Sequence, residues 1–373
     1  MRYIEIVSVG IAIILILLTL WLWNTKASPR STTNRSSKAI PSGKSKEYYD
    51  NLEIDVVYTW VNGQDANWEN KKNIWLQKRN PLTSLPISSV TGDIRYKNIN
   101  ELKYSIRSID KYMPWVRNIY IVVDDEQKPD FLDFSRDNLY LIKHSDIFSD
   151  KNHLPTFNSH AIESNLHRIE GLSKYFIYFN DDMLIGKPVY KWDFIDANGK
   201  LIFHKKYVYL SERHAELFMK GMPKKYDIGY RAGWKNNNTI LEEKFKSRKY
   251  VIPWHQAQIC DKDLMKYLQG LYKFEYELTS GAKFRSMTDI APLGLSVIFD
   301  KEMNDTQISI NDECLCMNSD KISVPDLIER LKKIKNNEFK FYCINNIVVG
   351  SENADHILEF FDEFYPEKSY YEL

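Results

Sequence analysis

Short apolar runs alternate with helical patterns along most of this chain. Ile54–Trp60, Asn118–Asp124, Leu139–His144, Tyr175–Asn180 and Lys340–Asn345 are bounded by polar residues and predict buried strands. Between them, Ile99, Leu102, Ile106 and Ile109 recur at helical spacing, as do Ile162, Leu166 and Ile169. Near the end, Ile357, Leu358, Phe361 and Phe364 do the same. Pro325-Asp326 ahead of Leu327, Leu331 and Ile334 predicts a helix opened by a first-turn proline. Strands alternating with helices predict an α/β domain whose mostly parallel sheet carries helices on both faces. Ligands of such sheets bind beyond the carboxyl ends of the strands, so chemistry is sought there.

The N-terminal pattern is different. Ile6 to Trp23 carries no charge and ends in Trp21 and Trp23. At ~1.5 Å rise per residue the run just spans a hydrocarbon core of ~30 Å, which predicts one N-terminal transmembrane helix within residues 1–26. Residues 27–48, rich in Ser, Thr, Lys and Asn, read as a flexible stem, and 49–373 as the globular body. Lys26, Arg30, Arg35 and Lys38 follow the run and only Arg2 precedes it, which by the positive-inside rule points the body to the cytoplasm. The anchor, the stem and the sequons at Asn34, Asn237 and Asn304 instead fit a single-pass type II Golgi enzyme with a lumenal catalytic domain, and that is the expected location.

Composition narrows the classes. The 373 residues are 43% hydrophobic and 14% aromatic, enough for a sizeable core. Lys+Arg 51 against Asp+Glu 50 gives a net charge of +1, so there is no electrostatic case for nucleic acid as a partner. Cys260, Cys314, Cys316 and Cys343 form neither a CxxC pair nor a zinc-ligand spacing with histidines.

Three strand ends carry polar clusters. After Ile54–Thr59, the sequence Trp60-Val61-Asn62-Gly63-Gln64-Asp65 offers aromatics and amides to a base and ribose, with Gly63 allowing close backbone approach. Asn180-Asp181-Asp182 ends the Tyr175 run, and adjacent carboxylates there suit a divalent cation on diphosphate oxygens. Asp124-Asp125 ends another apolar run, and pattern alone does not choose between the pairs. Asn345-Asn346 ends the third, as oxygen ligands or as a turn. His153, His160 and His167 are spaced seven apart, but Pro155 interrupts any common helix.

Taken together, these segments resemble the Stealth family of bacterial capsular-polysaccharide phosphotransferases, which also includes the catalytic part of animal N-acetylglucosamine-1-phosphotransferase. The resemblance rests on four blocks in order. They are IDVVYTWVNGQD from Ile54; a long second block from Asn98 through HLPTFNSHAIESNLHRI and YFIYFNDDMLIGKPV; IPWHQAQICDKDLM from Ile252 with KFRSMTD from Lys283; and KFYCINN from Lys340. It implies a Rossmann-like domain, a UDP-sugar donor, a glycan acceptor and Mg²⁺ or Mn²⁺. It also implies Asp182 and Asn346 as metal ligands, although Asn346 stands where the animal enzyme has an acid. Tyr58, Trp60, Val61, Asn62 and Gly63 are expected to line the nucleotide-sugar site. Arg285 is expected to clamp phosphate and His255 to act as base, with Asp65 as the alternative base or a donor-orienting group. The expected reaction moves a sugar-1-phosphate to a glycan hydroxyl and releases UMP. A glycosyltransferase using the same donor, and an inactive glycan-binding protein, are the alternatives.

Overall fold

The computed structural model describes residues 46–79, 96, 99–209, 228–246, 250–253, 255–304, 307–310 and 313–373. The strands are β1 (Ile54–Thr59), β2 (Ile119–Val123), β3 (Leu139–Lys143), β4 (Tyr175–Asn180), β5 (Met183–Ile185), β6 (Ile202–Tyr209), β7 (Tyr250–Pro253), β8 (Gln258–Asp261), β9 (Gln307–Ile310), β10 (Cys314–Asn318) and β11 (Phe341–Asn345). The helices are α1 (Lys46–Asp50), α2 (Ala66–Gln77), α3 (Glu101–Tyr112), α4 (His144–Ile147), α5 (Ser159–Glu163), α6 (Ile228–Phe245), α7 (Lys262–Leu271), α8 (Lys273–Gly281), α9 (Pro292–Asn304), α10 (Val324–Lys335) and α11 (Glu352–Phe364).

The main sheet has the order β3-β2-β1-β4-β8. Its first four strands are parallel and β8 closes the edge antiparallel to β4. β1 and β4 read as nearly unbroken apolar runs because both of their faces are covered. On one face Ile54, Val56, Tyr58, Ile177 and Phe179 meet Leu102, Ile106 and Ile109 of α3. On the other, Val57, Val122, Phe176 and Tyr178 meet Phe148, Leu166 and Met265. Asp55 is the polar exception in β1, and it is satisfied: Arg117 grips it with two nitrogens at 2.8 and 2.7 Å, and Ser173 N–H donates to it at 2.7 Å.

Two smaller sheets, β10-β11-β5 and β7-β6-β9, each mix parallel and antiparallel pairs. The expected fold class is corrected on these points: the domain is a mixed α/β assembly of three sheets, and no helix among the described residues is long and apolar enough to cross a membrane. The Ile6–Trp23 run lies outside the described residues. The transmembrane helix as part of the fold, and the single-pass Golgi location built on it, are not sustained. The expected stem ends early as well, since Lys46–Asp50 is helical and Tyr49 is buried under Trp192. Asn237, one of the three sequons, is fully buried, with its side-chain amide bonded to both main-chain groups of Ala291, so it presents no glycan acceptor in the folded chain.

The topology also locates the cleft. From β1 the chain moves outward to β2 and β3, then returns to β4 on the opposite side of β1. The carboxyl ends of β1 and β4 therefore flank a switch point, where α/β sheets open a crevice for ligands. Only Asp181 and Asp182 separate β4 of the main sheet from β5 of the second sheet, so this link joins two sheets at the rim of the crevice.

Candidate active site

The Asp181-Asp182 link splits its two carboxylates between different tasks. Burial raises Asp181 well above the usual carboxylate range, with the Asp182 charge and Glu101 adding to the effect. Glu101 is itself raised to about 7, first by burial. The charged form of Asp181 is thus disfavoured. Asp182 instead meets His255, with Oδ2 3.6 Å from the imidazole Nε2. The other oxygen of Asp182, Oδ1, is buried without a hydrogen-bond partner among the described residues. The main-chain oxygen of Asp182 accepts from Ile344 N–H at 3.3 Å, which ties the link to β11.

That tie brings in a residue the sequence hid. Cys343 pairs with Met183 across β11 and β5 and with Cys316 across β11 and β10. Its thiol is fully buried, and burial pushes it well above the usual thiol range. Donor atoms of Asp182, His255 and Cys343 all lie within 4.8 Å of one another. Asn346 turns the other way: its backbone is left-handed at φ 58° and its amide donates to Asp320 at 3.2 Å. The rival acidic pair is occupied locally. Lys71 meets Asp124 at 2.5 Å, and Asp125 accepts from Ser145 N–H at 2.8 Å.

Burial alone would lower His255, but the neighbouring charge of Asp182 overrides it and raises the imidazole to about 9. At neutral pH the ion-free cleft therefore holds an imidazolium, not the free base expected from the sequence. An unfolded histidine titrates near ~6.5. The pair accordingly stabilises the ion-free fold fully below that value and ceases to do so as pH rises through about 9. In chelator-treated protein, the unfolding midpoint of the wild type should exceed that of His255→Gln at pH 6 and converge with it above pH 9. A gap independent of pH across this window would contradict the pairing.

The loop after β1 is built mostly from its backbone. Tyr58 is fully buried and cannot touch a nucleotide, which corrects that expectation: strand alternation points it at α3, where its hydroxyl lies 2.6 Å from Ser105 Oγ. Ser105 donates onward to the Met183 main-chain oxygen at 2.5 Å. Tyr58→Phe should cost about 1–3 kcal/mol of stability while leaving donor affinity unchanged, read by denaturant unfolding beside a nucleotide-sugar titration. Trp60 packs against the main core, and Val61 against the Trp68–Phe157–Phe284 cluster. Gln127, unremarked in the sequence, clamps both main-chain groups of Asn62 at 3.1 and 2.8 Å. The close approach at Gly63 is to the protein itself, since its N–H donates to Tyr96 O and a Cβ there would fall 2.2 Å from that oxygen. Asp65 caps α2 through the Trp68 N–H at 2.8 Å, so that oxygen is engaged in structure.

Arg285 approaches the cleft from the third block. Its guanidinium donates to Ser159 Oγ at 3.0 Å, and its charge is felt by both His255 and Glu163. Glu163, at the end of α5, was missed by sequence reasoning. Burial raises its pKa, and His160, Arg285, a hydrogen bond from Ser159 and His255 partly offset the shift. The three evenly spaced histidines do not converge. His153 bonds Ser280 at 2.9 Å, His160 lies 3.6 Å from Asp289, and His167 bonds Gln269 at 3.0 Å.

Known proteins fit this arrangement. The profile described as Stealth protein conserved region 1 matches residues 53–79, and that of conserved region 2 matches residues 95–203. A capsular polysaccharide phosphotransferase, fcs1 of Haemophilus influenzae, is 30% identical over 310 residues, covering 82% of this chain and 81% of that protein. The chain belongs to the Stealth family. A Streptomyces coelicolor exopolysaccharide phosphotransferase is 31% identical over 313 residues, 84% of this chain and 54% of that one. A second from the same organism is 32% identical over 326 residues, 86% of this chain and 51% of that one. The chain thus spans about half the length of these two relatives. Among solved structures, a galactosyltransferase LgtC complex with donor and acceptor sugar analogues aligns over 84% of this chain and 96% of its own, at 7% identity and a TM-score of 0.39.

Within this Stealth chain, the donors can be compared with the hard cation expected on Asp182 and Asn346. Mg²⁺ and Mn²⁺ favour oxygen ligands. Asp182 supplies a carboxylate with one orphaned oxygen, the kind of ligand such an ion takes. The Asn346 amide nitrogen donates to Asp320, so only its Oδ1 could serve a metal. The other groups beside Asp182 are an imidazole nitrogen and a thiol sulfur.

Proposed function

We propose that this protein transfers a sugar-1-phosphate from a UDP-sugar to a glycan hydroxyl, forming a phosphodiester and releasing UMP. The observation that carries the reading is the pairing of Asp182 with His255 at the end of β4, with Arg285 and Glu163 within electrostatic reach of His255. The names of the capsular and exopolysaccharide phosphotransferase relatives support it.

In this reading the diphosphate lies across the crevice, cradled by the Gln127-clamped loop. Arg285 offers its planar fork to oxygens of the transferred phosphorus. The acceptor oxygen attacks that phosphorus, the bond to the bridging oxygen breaks, and UMP departs with the electron pair. Positioning and charge neutralisation carry most of the barrier reduction. His255 is cationic at neutral pH beside Asp182, so Glu163 is assigned the acceptor's proton. A carboxylate raised by burial is closer to the basicity such work needs.

Glu163→Gln should lower turnover by about 10²–10⁴-fold and abolish the acidic limb of the rate profile. Survival of that limb would remove Glu163 as the base. The reaction class itself is tested by incubating the protein with a panel of UDP-sugars and an oligosaccharide acceptor, then identifying the leaving nucleotide. UMP is expected. UDP would make the protein a glycosyltransferase, and release of neither would favour a binding role.

A further inference from the structure

We propose that Asp289 is a positioning residue for Arg285, holding the turn that carries the guanidinium against the segment that carries Ser159. This role rests on the reading of Arg285 as the phosphate clamp and adds the group that aims it.

The Arg285–Ser159 hydrogen bond joins two segments that are distant in sequence. Residues 156–159 lead into α5, and 282–291 connect α8 to α9. The two segments run side by side. Phe157 N–H donates to Lys283 O at 2.8 Å, Thr156 Oγ1 donates to Ala282 O at 3.2 Å, and the Phe157 and Phe284 rings stack at 5.1 Å. Beyond Phe284, Asp289 takes over the contact. It is fully buried, and its Oδ2 accepts from Ser286 N–H at 3.0 Å and from Asn158 Nδ2 at 2.9 Å. His160 Nδ1 lies 3.6 Å from the same oxygen. These partners are the residue after Arg285 and the two residues flanking Ser159. One carboxylate therefore brackets both ends of the Arg285–Ser159 bond.

The partners of Asp289 are themselves fixed. Asn158 is buried and uses both ends of its amide, since Oδ1 caps α5 through the His160 N–H at 3.1 Å. From α6, Asn236 donates to the carbonyls of Met287 and Asp289 at 2.9 and 2.8 Å. Gly233, one turn earlier, lets that helix come close, because a Cβ there would fall 2.9 Å from His160 Cε1. A buried carboxylate is a costly choice for a position that only fills space, and Asp289 Oδ1 has no hydrogen-bond partner among the described residues. What the acid supplies is one oxygen that accepts from two segments at once. A clamp aimed this way stays in productive geometry, where a displacement of about 1 Å can cost ~10²-fold in rate.

The test joins a kinetic cycle on the full chain to an exchange measurement that needs no reaction. Asp289→Ala should lower kcat by about 10–100-fold while the donor KM changes by less than about threefold. Asp289→Asn, which keeps an acceptor oxygen, should restore most of that loss. In an Arg285→Ala background, Asp289→Ala should cost nothing further, because no guanidinium is left to aim. An equal loss in both backgrounds would overturn the inference, since a merely structural role lowers both alike. Hydrogen exchange at the Ser286 amide, followed without donor or acceptor, should quicken in Asp289→Ala while the rest of the domain exchanges as in wild type. Unchanged exchange there would also overturn it. If Asp289→Ala fails to fold, Asn158→Ser serves: it keeps an N-cap for α5 but is too short to reach Asp289, and the same kinetic pattern is expected. Should Arg285→Ala itself leave kcat unchanged, the phosphate-clamp reading fails, while faster Ser286 exchange in Asp289→Ala would still uphold the hold of Asp289 on the turn.

Discussion

Asp182→Ala is expected to lower turnover by about 10³-fold or more while leaving the fold intact. The carboxylate faces the crevice, and its backbone tie to Ile344 does not involve the side chain. Removing it takes away the His255 partner and a carboxylate charge at the proposed donor site, and loss of a single well-placed electrostatic group already costs about 10²–10³-fold in other sites. Asp181→Asn is the internal control. Because burial disfavours the charged form of Asp181, an amide should alter the charge there little, and activity should stay within about tenfold of wild type. Initial rates with circular dichroism spectra of both variants check the pair. Equal losses would mean that the two carboxylates act together and that the division between them is wrong.

Arg285→Lys should produce a fall in kcat of about 10²-fold or more with a smaller change in KM. Lysine keeps the charge but lacks the planar fork, and it cannot hold Ser159 and a phosphate oxygen in the same geometry. Arginines that stabilise transferring phosphoryl groups contribute about 10³–10⁵-fold elsewhere, so partial retention by lysine is expected to be modest. Steady-state kinetics with the donor varied distinguish the cases. A change confined to KM would reduce Arg285 to ground-state binding.

The sequence made β1, β2, β4 and β11 legible because those strands are buried on both faces, which forces continuous apolar runs, whereas β3 is a half-exposed edge strand marked by Leu139, Leu141 and Ile142. β8 was read only as part of a polar motif, since Gln258–Asp261 is short, mixed in character and pairs antiparallel at an edge. The Ile162, Leu166 and Ile169 pattern reads as one helix. In the structure Ser164 and Asn165 both bond the Ala161 carbonyl, and the segment breaks into α5 and a 3₁₀ turn.

The site was legible where family resemblance supplied specific positions. The structure brings Asp182 and His255 together and sets Arg285 within their electrostatic reach. Tyr58 was misplaced because the whole block was carried over as lining the donor site, although it lies within the predicted strand, where alternation commits its ring to the core. Gly63 was correctly singled out as a close approach, but the neighbour is Tyr96. Cys343 was invisible as a site residue, since a cysteine inside an apolar strand reads as core and its approach to Asp182 depends on the β5–β11 register. Asn346 illustrates the converse: it ends a strand where an oxygen ligand is plausible by pattern, yet Asp320 holds its amide.

The most direct test of the central claim follows the phosphorus itself. A UDP-sugar carrying radiolabel only in its β-phosphate is incubated with the protein and a glycan acceptor, and the products are separated by charge. The account predicts that the label enters the glycan in a phosphodiester while the released UMP carries none. Label recovered in UDP beside a neutral glycoside would contradict it.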